Sequence, residues 1–335
     1  MADLSVSASR TWLRRGAAIG TALAFLVVVL GAYTRLMDAG LGCPDWPGCY
    51  GYLSVPGAAA NVETAEARFP HAPFEAHKAW PEMVHRYFAG SLGVLIFGLA
   101  ALALRNRSAS LPLKVPLLLA VLVVLQAAFG MWTVTLKLWP QVVTTHLLGG
   151  FATLSLLWLL YLRSSPSTGL APRFRWHAAL ALIVVATQVA LGGWTTSNYA
   201  ALACPDFPTC QGQWWPRMDA SAGFDFFQDI GPNYLGGLLD NGARVAIHMG
   251  HRLGALLVLF VVGSLTIRLV ASAEGRRLGF VLLALLIVQI CLGIANVEFT
   301  LPLPVATAHN GTGALLLLGV ITVNYRSFRS GAPHE

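Results

Sequence analysis

The chain has 335 residues, enough by length alone for two or three soluble domains. Its composition excludes that organisation: 56% of residues are hydrophobic and 11% are charged, where a soluble domain carries roughly a quarter charged residues. The formal net charge is +7 and the mean hydropathy is +0.64. Most basic residues stand at the ends of apolar runs, where they report membrane orientation and argue against a nucleic-acid partner. Five cysteines are too few for a disulfide scaffold.

Eight apolar stretches follow one another, at about 16–34, 82–104, 115–136, 142–162, 177–198, 245–270, 278–297 and 305–325. Each is near the roughly 20 residues that cross a bilayer as a helix. Helices are expected throughout, because each run must satisfy its own backbone hydrogen bonds in lipid, and the alternating polarity of a membrane barrel is absent. The first run follows Arg10, Arg14 and Arg15 without a small-residue cleavage site, so it is expected to stay as an uncleaved span. With a cytoplasmic N-terminus, fourteen of the 22 Lys and Arg residues fall on inside segments. The bias puts both termini in the cytoplasm and turns two long segments, about 35–81 and 199–244, outward. The expected fold is an all-α polytopic membrane protein.

The chain also matches itself. Gly31-Ala-Tyr-Thr-Arg-Leu through Cys43-Pro-Asp-Trp-Pro-Gly-Cys49 aligns with Gly192-Gly-Trp-Thr-Thr-Ser through Cys204-Pro-Asp-Phe-Pro-Thr-Cys210 at an offset of 161. Glu82-Met-Val-His85-Arg86 aligns with His248-Met-Gly-His251-Arg252 at 166, and Gln126, Gly130 and His146 align with Gln289, Gly293 and His309 at 163. Offsets that change only across loops predict two copies of a four-helix unit, residues 1–165 and 166–335. Four spans per copy is an even number, so the repeat is parallel and the eight helices form two pseudo-symmetric bundles.

Four of the nine histidines fall at matching places: His85 and His251 open spans two and six, His146 and His309 open spans four and eight. These spans run in one direction, so each pair lies at one depth near the outer face. Two imidazoles facing each other across a bundle can hold a heme iron from both sides. Gly90, Gly93, Gly149 and Gly150, with Gly250, Gly254, Gly311 and Gly313, would let a flat macrocycle approach. The alternative is polar residues hydrogen-bonded between helices. Zinc fits less well, since each pair offers two nitrogen ligands and no evident carboxylate or thiolate. His71, His77, His177 and His334 have no counterpart and are read as loop or interface residues. Arg86 and Arg252 suit a heme propionate or, equally, an interfacial anchor.

Glu82 stands where the second copy has His248, one helical turn from His85. It is either an acid, base or cation stabiliser that the second site lacks, or an acid favoured where Pro81-Glu82 opens a helix. The two Cys-x5-Cys pairs lie in outward loops, where disulfides are permitted. The proline-rich frame favours a structural clip at 204–210, while redox chemistry stays open at 43–49. Cys291 is read as a small apolar residue inside span seven.

Taken together, Thr34-Arg35-Leu36, Gly40-Leu-Gly-Cys-Pro-Asp-Trp-Pro-Gly-Cys49, Glu82-x-x-His85-Arg86, Thr145-His146, the second cysteine frame, Gly250-His251-Arg252 and Ala308-His309 resemble the heme A synthase family. The match runs in order along nearly the whole chain. The resemblance implies an oxidoreductase of the bacterial inner membrane that oxidises a methyl group of heme O to the formyl group of heme A for terminal oxidases. It implies heme b as cofactor on His251 and His309 in the C-terminal half. It also implies the substrate heme on His85 and His146, with Glu82 catalytic, in the N-terminal half. Cys43–Cys49 is implied as a pair that matters for activity and Cys204–Cys210 as a structural disulfide. Implied partners are a heme O synthase and an electron donor or acceptor in the membrane or outside it, with homo-oligomer formation left open. His248 departs from the pattern as an added histidine that could compete with His251.

Three other functions stand as alternatives. A di-heme electron-transfer cytochrome or quinol oxidoreductase would also use paired histidines but would not need Glu82. A prenyltransferase needs aspartate-rich diphosphate motifs, for which Asp225 and Asp229 are the nearest candidates. A transporter would show a pair of broken helices, which the sequence does not.

Overall fold

The computed structural model describes residues 2–107, 112–166 and 168–329; His334 lies outside them. Eight helices are long and apolar enough to cross a membrane, and each expected span corresponds to one of them. They are α1 (Ala2–Leu36), α2 (Ala76–Arg105), α3 (Lys114–Thr135), α4 (Pro140–Ser164), α5 (Arg175–Ser197), α6 (Asn241–Val270), α7 (Arg276–Glu298) and α8 (Leu303–Arg329). No strand occurs among the described residues, and the protein is an all-α, multi-pass membrane protein.

The odd-numbered helices end in the same way in both halves. Asp38 and Tyr199 take left-handed φ values of 52° and 53° after α1 and α5. The next amides reach back five residues, Ala39 to the Thr34 carbonyl at 3.0 Å and Ala200 to the Thr195 carbonyl at 2.9 Å. That is the helix-terminating pattern in which a left-handed residue lets orphan carbonyls find donors. After α3 and α7 the pairs Lys137-Leu138 and Thr300-Leu301 are left-handed, and Leu138 and Leu301 close the turn at 2.8 and 2.7 Å.

In the first four helices α1 packs on α2 and α4, with α3 closing the ring between them; α5 to α8 repeat these neighbours. The two groups meet where α1 and α4 lie against α5 and α8. Lipid supplies no hydrophobic drive between helices, so this seam depends on close packing and on polar contacts. Leu13, Ala17, Ala24, Leu154, Leu157, Ala178, Ala181 and Val320 belong to one buried apolar core that runs through both groups. Trp158 Nε1 donates to Thr322 Oγ1 at 2.9 Å, and Thr144 and Ser197 hydroxyls meet at 2.8 Å. Val94, Val121, Ile183 and Phe260 face outward, as lipid-covered side chains would.

The loops between α1 and α2 and between α5 and α6 fold over the same end of the bundle. Each carries a disulfide, Cys43–Cys49 and Cys204–Cys210. Within each ring an aspartate gathers backbone amides: Asp45 from Tyr50 and Gly51 at 2.6 and 2.8 Å, Asp206 from Gln211 and Gly212 at 2.6 and 3.0 Å. The Thr209 hydroxyl and these amides hold Asp206 below the usual carboxylate range.

Candidate functional site

Between the helices and beneath both loops lies one continuous cavity of about 1400 Å³, larger than the roughly 300–1,000 Å³ of common small-molecule sites. His85, His146, His251 and His309 all line it, with Glu82, Arg86, His248 and Arg252.

The histidines form two pairs. The ring centroids of His85 and His146 are 6.4 Å apart, as are those of His251 and His309, with interplanar angles of 84° and 68°. A direct ring-to-ring hydrogen bond would bring the centroids to about 5 Å. Two imidazoles sharing one metal through bonds of about 2 Å, each nitrogen about 1.1 Å from its centroid, would hold them at about 6.2 Å. The spacing therefore fits an interposed atom and not a mutual hydrogen bond. Nδ1 of His85, His146 and His309 is buried without a hydrogen-bond partner, a state that native proteins avoid unless a bound group supplies the contact. Both pairs fit a heme iron by this test.

Each ring has a glycine behind it. A Cβ on Gly31 or Gly192 would come within 3.0 or 3.3 Å of Cε1 of His85 or His251, and one on Gly130 or Gly293 within 3.4 or 3.2 Å of His146 or His309. These four glycines carry the repeat register, but nothing in the sequence marks them as seats for the histidines. The glycines expected to admit a macrocycle serve several purposes. Gly90, Gly93, Gly150 and Gly313 line the cavity, Gly254 backs onto Gln188, Gly149 onto Gln126, Gly250 onto Phe224, and Gly311 onto Phe25 and Val29 at the seam.

Glu82 is 5% exposed. Its Oε2 accepts from the Cys43 amide at 2.9 Å and its Oε1 pairs with Arg86. α2 starts at Ala76, six residues earlier than expected, with Pro81 inside the helix. Glu82 thus stands in the second turn, beyond the reach of the helix-terminus effect, and the reading of Pro81-Glu82 as a helix opening is corrected. His248 occupies the matching place. Its Nδ1 lies 3.1 Å from the Ala200 carbonyl and 3.4 Å from the Cys204 amide. It is engaged with its loop, and His251 is the residue paired with His309.

Both arginines take a role that neither sequence expectation named. Arg86 Nη1 donates to the carbonyls of Asp45, Pro47 and Gly48, at 2.9 and 3.3 Å for the first two. Arg252 donates to Thr209 and Asp206, both at 2.8 Å, and to Cys204 at 3.3 Å. Each guanidinium pins its disulfide ring over the cavity. Arg35 instead ties α1 to the end of α5 across the seam: it donates to the Thr196 carbonyl at 2.8 Å and lies 4.0 Å from the Tyr199 ring centre.

The remaining expectations fall elsewhere. His77 lies in the first turn of α2 near Glu75, and His177 joins α5 to the Val261 carbonyl and Arg268 of α6. Cys291 is a free, outward-facing thiol. Asp225 caps the Phe227 amide at 2.8 Å in the second loop.

What the fold and cavity define is a helical membrane protein with two buried imidazole pairs and one carboxylate on a single side. The family model described as "Cytochrome oxidase assembly protein" matches residues 14–321, and the chain belongs to that family. The heme A synthase of Shewanella oneidensis is 47% identical, over 94% of this chain and 96% of that protein. Heme A synthases of Methylobacterium radiotolerans and Chelativorans sp. are 31% and 28% identical, over 98% and 97% of this chain and 92% and 93% of theirs.

Proposed function

We propose that the chain is a heme A synthase, an oxidoreductase of the bacterial inner membrane with both termini in the cytoplasm. The observation that carries this reading is the pair of equal imidazole gaps, 6.4 Å each, in one cavity where only the first gap has a carboxylate beside it. In this reading residues 1–165 bind the substrate, heme O, between His85 and His146. Residues 166–335 hold heme b between His251 and His309, and that group supplies a route for electrons. Oxidising a methyl carbon to a formyl carbon takes electrons from it and adds oxygen, so the reaction needs a redox partner, and a heme b beside the substrate would be the route by which electrons enter or leave.

The side chains then divide the work. His85 and His146 fix the substrate's plane and depth, and with them which edge of the macrocycle meets Glu82. The Glu82 carboxylate, held by Arg86 and the Cys43 amide, stabilises positive charge at the reacting carbon or accepts its proton. Arg86 and Arg252 keep the disulfide rings closed over the cavity and limit water entry. A heme O synthase as supplier, an external electron donor or acceptor, and a homo-oligomer belong to the same proposal.

A di-heme electron carrier would have the same equal gaps but no need for Glu82. Co-expression with a heme O source, purification, and chromatography of the extracted hemes separates the two. The synthase yields heme A together with heme b; heme b alone would overturn the assignment.

A further inference from the structure

The two histidine pairs share a spacing but not their surroundings, and the difference lies in positions that change together between the copies. Gln188 Nε2 lies 3.1 Å from His251 Nδ1 and donates to the His251 carbonyl at 2.9 Å. Gln188 Oε1 is buried without a partner. Gly254 makes the room: a Cβ there would run into Gln188 Oε1 and lie 2.9 Å from Leu191 Cδ1. In the first half the matching residues are Val27, at the offset of 161, and Phe88, at 166. A valine there has no side-chain amide to offer His85. The second arm differs in the same sense. Gln289 Nε2 lies 3.2 Å from His309 Nε2, whereas Gln126 sits against Gly149; Nδ1 is without a partner in both His146 and His309.

We infer that Gln188, seated by Gly254, is the positioning residue that makes His251 a permanent ligand, and that its lack opposite His85 leaves the first site free to exchange its heme. The inference rests on the assignment of the two sites proposed above. A neutral imidazole that gives one nitrogen's lone pair to a metal carries its proton on the other. The carboxamide of Gln188 is both donor and acceptor, and its partnerless Oε1 is the acceptor such an N–H requires after a half-turn of the terminal amide. In the orientation seen, Nε2 anchors the amide to the His251 carbonyl beside the ring; the half-turn exchanges that bond for one to the ring N–H. Valine supplies neither function. Phe88 in place of Gly254 would leave a glutamine at position 27 without the space that Gln188 has. A permanent cofactor gains from a locked ligand, while a substrate that must leave as product does not.

The test uses the full chain purified in detergent. Gln188→Val and Gly254→Ala, the latter leaving both His251 and Gln188 in place, are each expected to release heme b to apomyoglobin about 10-fold faster than wild type, a typical loss for removing a ligand's hydrogen-bond partner. Both are also expected to shift the low-spin ferric EPR signal. Gln188→Glu, which keeps an acceptor, is expected to stay nearer wild type. Val27→Gln combined with Phe88→Gly is expected to retain the first-site heme through purification. Wild-type release rates and spectra in both Gln188→Val and Gly254→Ala would overturn the inference. His251→Ala that keeps its full heme b would instead overturn the site assignment beneath it.

Discussion

Glu82 and His248 stand at matching places in the two halves, and each meets the first cysteine amide of its own disulfide ring. Around them the scaffold is the same: an imidazole one turn on, an arginine beside it holding loop carbonyls, a glycine behind the ring. What differs is the charge available to a ligand between the histidines. The first half presents a buried carboxylate, the second a ring already bonded to the Ala200 carbonyl. On the assignment proposed above, the two halves keep the same histidines, and one becomes a holder and the other a place for chemistry through a change of the residue beside them.

The most direct way to break this comparison is to delete the histidines one side at a time. His309→Ala is expected to abolish or nearly abolish heme b in the purified protein, whereas His146→Ala leaves heme b in place and stops heme A formation. Equal heme b content in wild type and His309→Ala would end the division of labour between the halves. Next in size, Glu82→Ala is expected to keep heme b and lower heme A formation by about 10²–10⁴-fold, the usual range for a group acting on protons or charge in the transition state. Chromatography of extracted hemes reads both quantities at once. His248→Ala, its counterpart, should leave turnover within a few-fold, and a collapse as deep as that of Glu82→Ala would mean the two positions are not functionally distinct.

The arginines sharpen the same contrast at the level of stability. Arg86→Ala removes the partner of a buried carboxylate as well as the anchor of a loop, at a cost of about 3–5 kcal/mol. Arg252→Ala removes loop hydrogen bonds and a contact with the Phe207 ring but leaves no buried carboxylate stranded, at a cost of about 2 kcal/mol. Thermal unfolding in detergent should rank them in that order. In a Glu82→Gln background the two costs should become similar; an undiminished gap there would show that the stranded charge is not its cause.

Much of this was readable from the chain. Eight lipid-length apolar runs leave helices as the only solution, and the repeat marked the four histidines, both cysteine frames and the exchange of Glu82 for His248. Those features are local or periodic, so spacing alone reveals them. The contacts it did not reveal depend on how one helix is rotated against another. Nothing in the spacing says that α1 turns Gly31 toward His85, or that α5 turns Gln188 toward His251. The fate of Arg86 and Arg252 depended on the path of the disulfide rings, which fold back onto the helices that carry them. The start of α2 was missed because Ala76-His-Lys-Ala-Trp-Pro is too polar to read as membrane, although it forms the first turns of the same helix.

The smallest expected effect separates the loops. Tyr50 is 1% exposed, donates its hydroxyl to the Pro73 carbonyl at 2.8 Å, and meets Phe69 and Phe74 edge-on. Burial first, and then the carboxylates of Glu75, Glu66, Glu82 and Asp45, push its phenol up to about 12 from an ordinary value of 10.0. Folding therefore favours the protonated phenol. The stabilisation is fully present below pH 10 and is lost as pH rises through about 12, when the folded loop must accept a phenolate among carboxylates. The matching residue in the second loop is Gln211, whose amide donates to the Ala203 carbonyl at 3.1 Å and has nothing to titrate. Tyr50→Phe should cost about 1 kcal/mol at neutral pH through the lost hydrogen bond, and it should flatten the fall in unfolding midpoint between pH 10 and 12. Tyrosinate absorbance followed alongside thermal unfolding checks this, and an alkaline fall of the same size in Tyr50→Phe would move the cause away from the first loop.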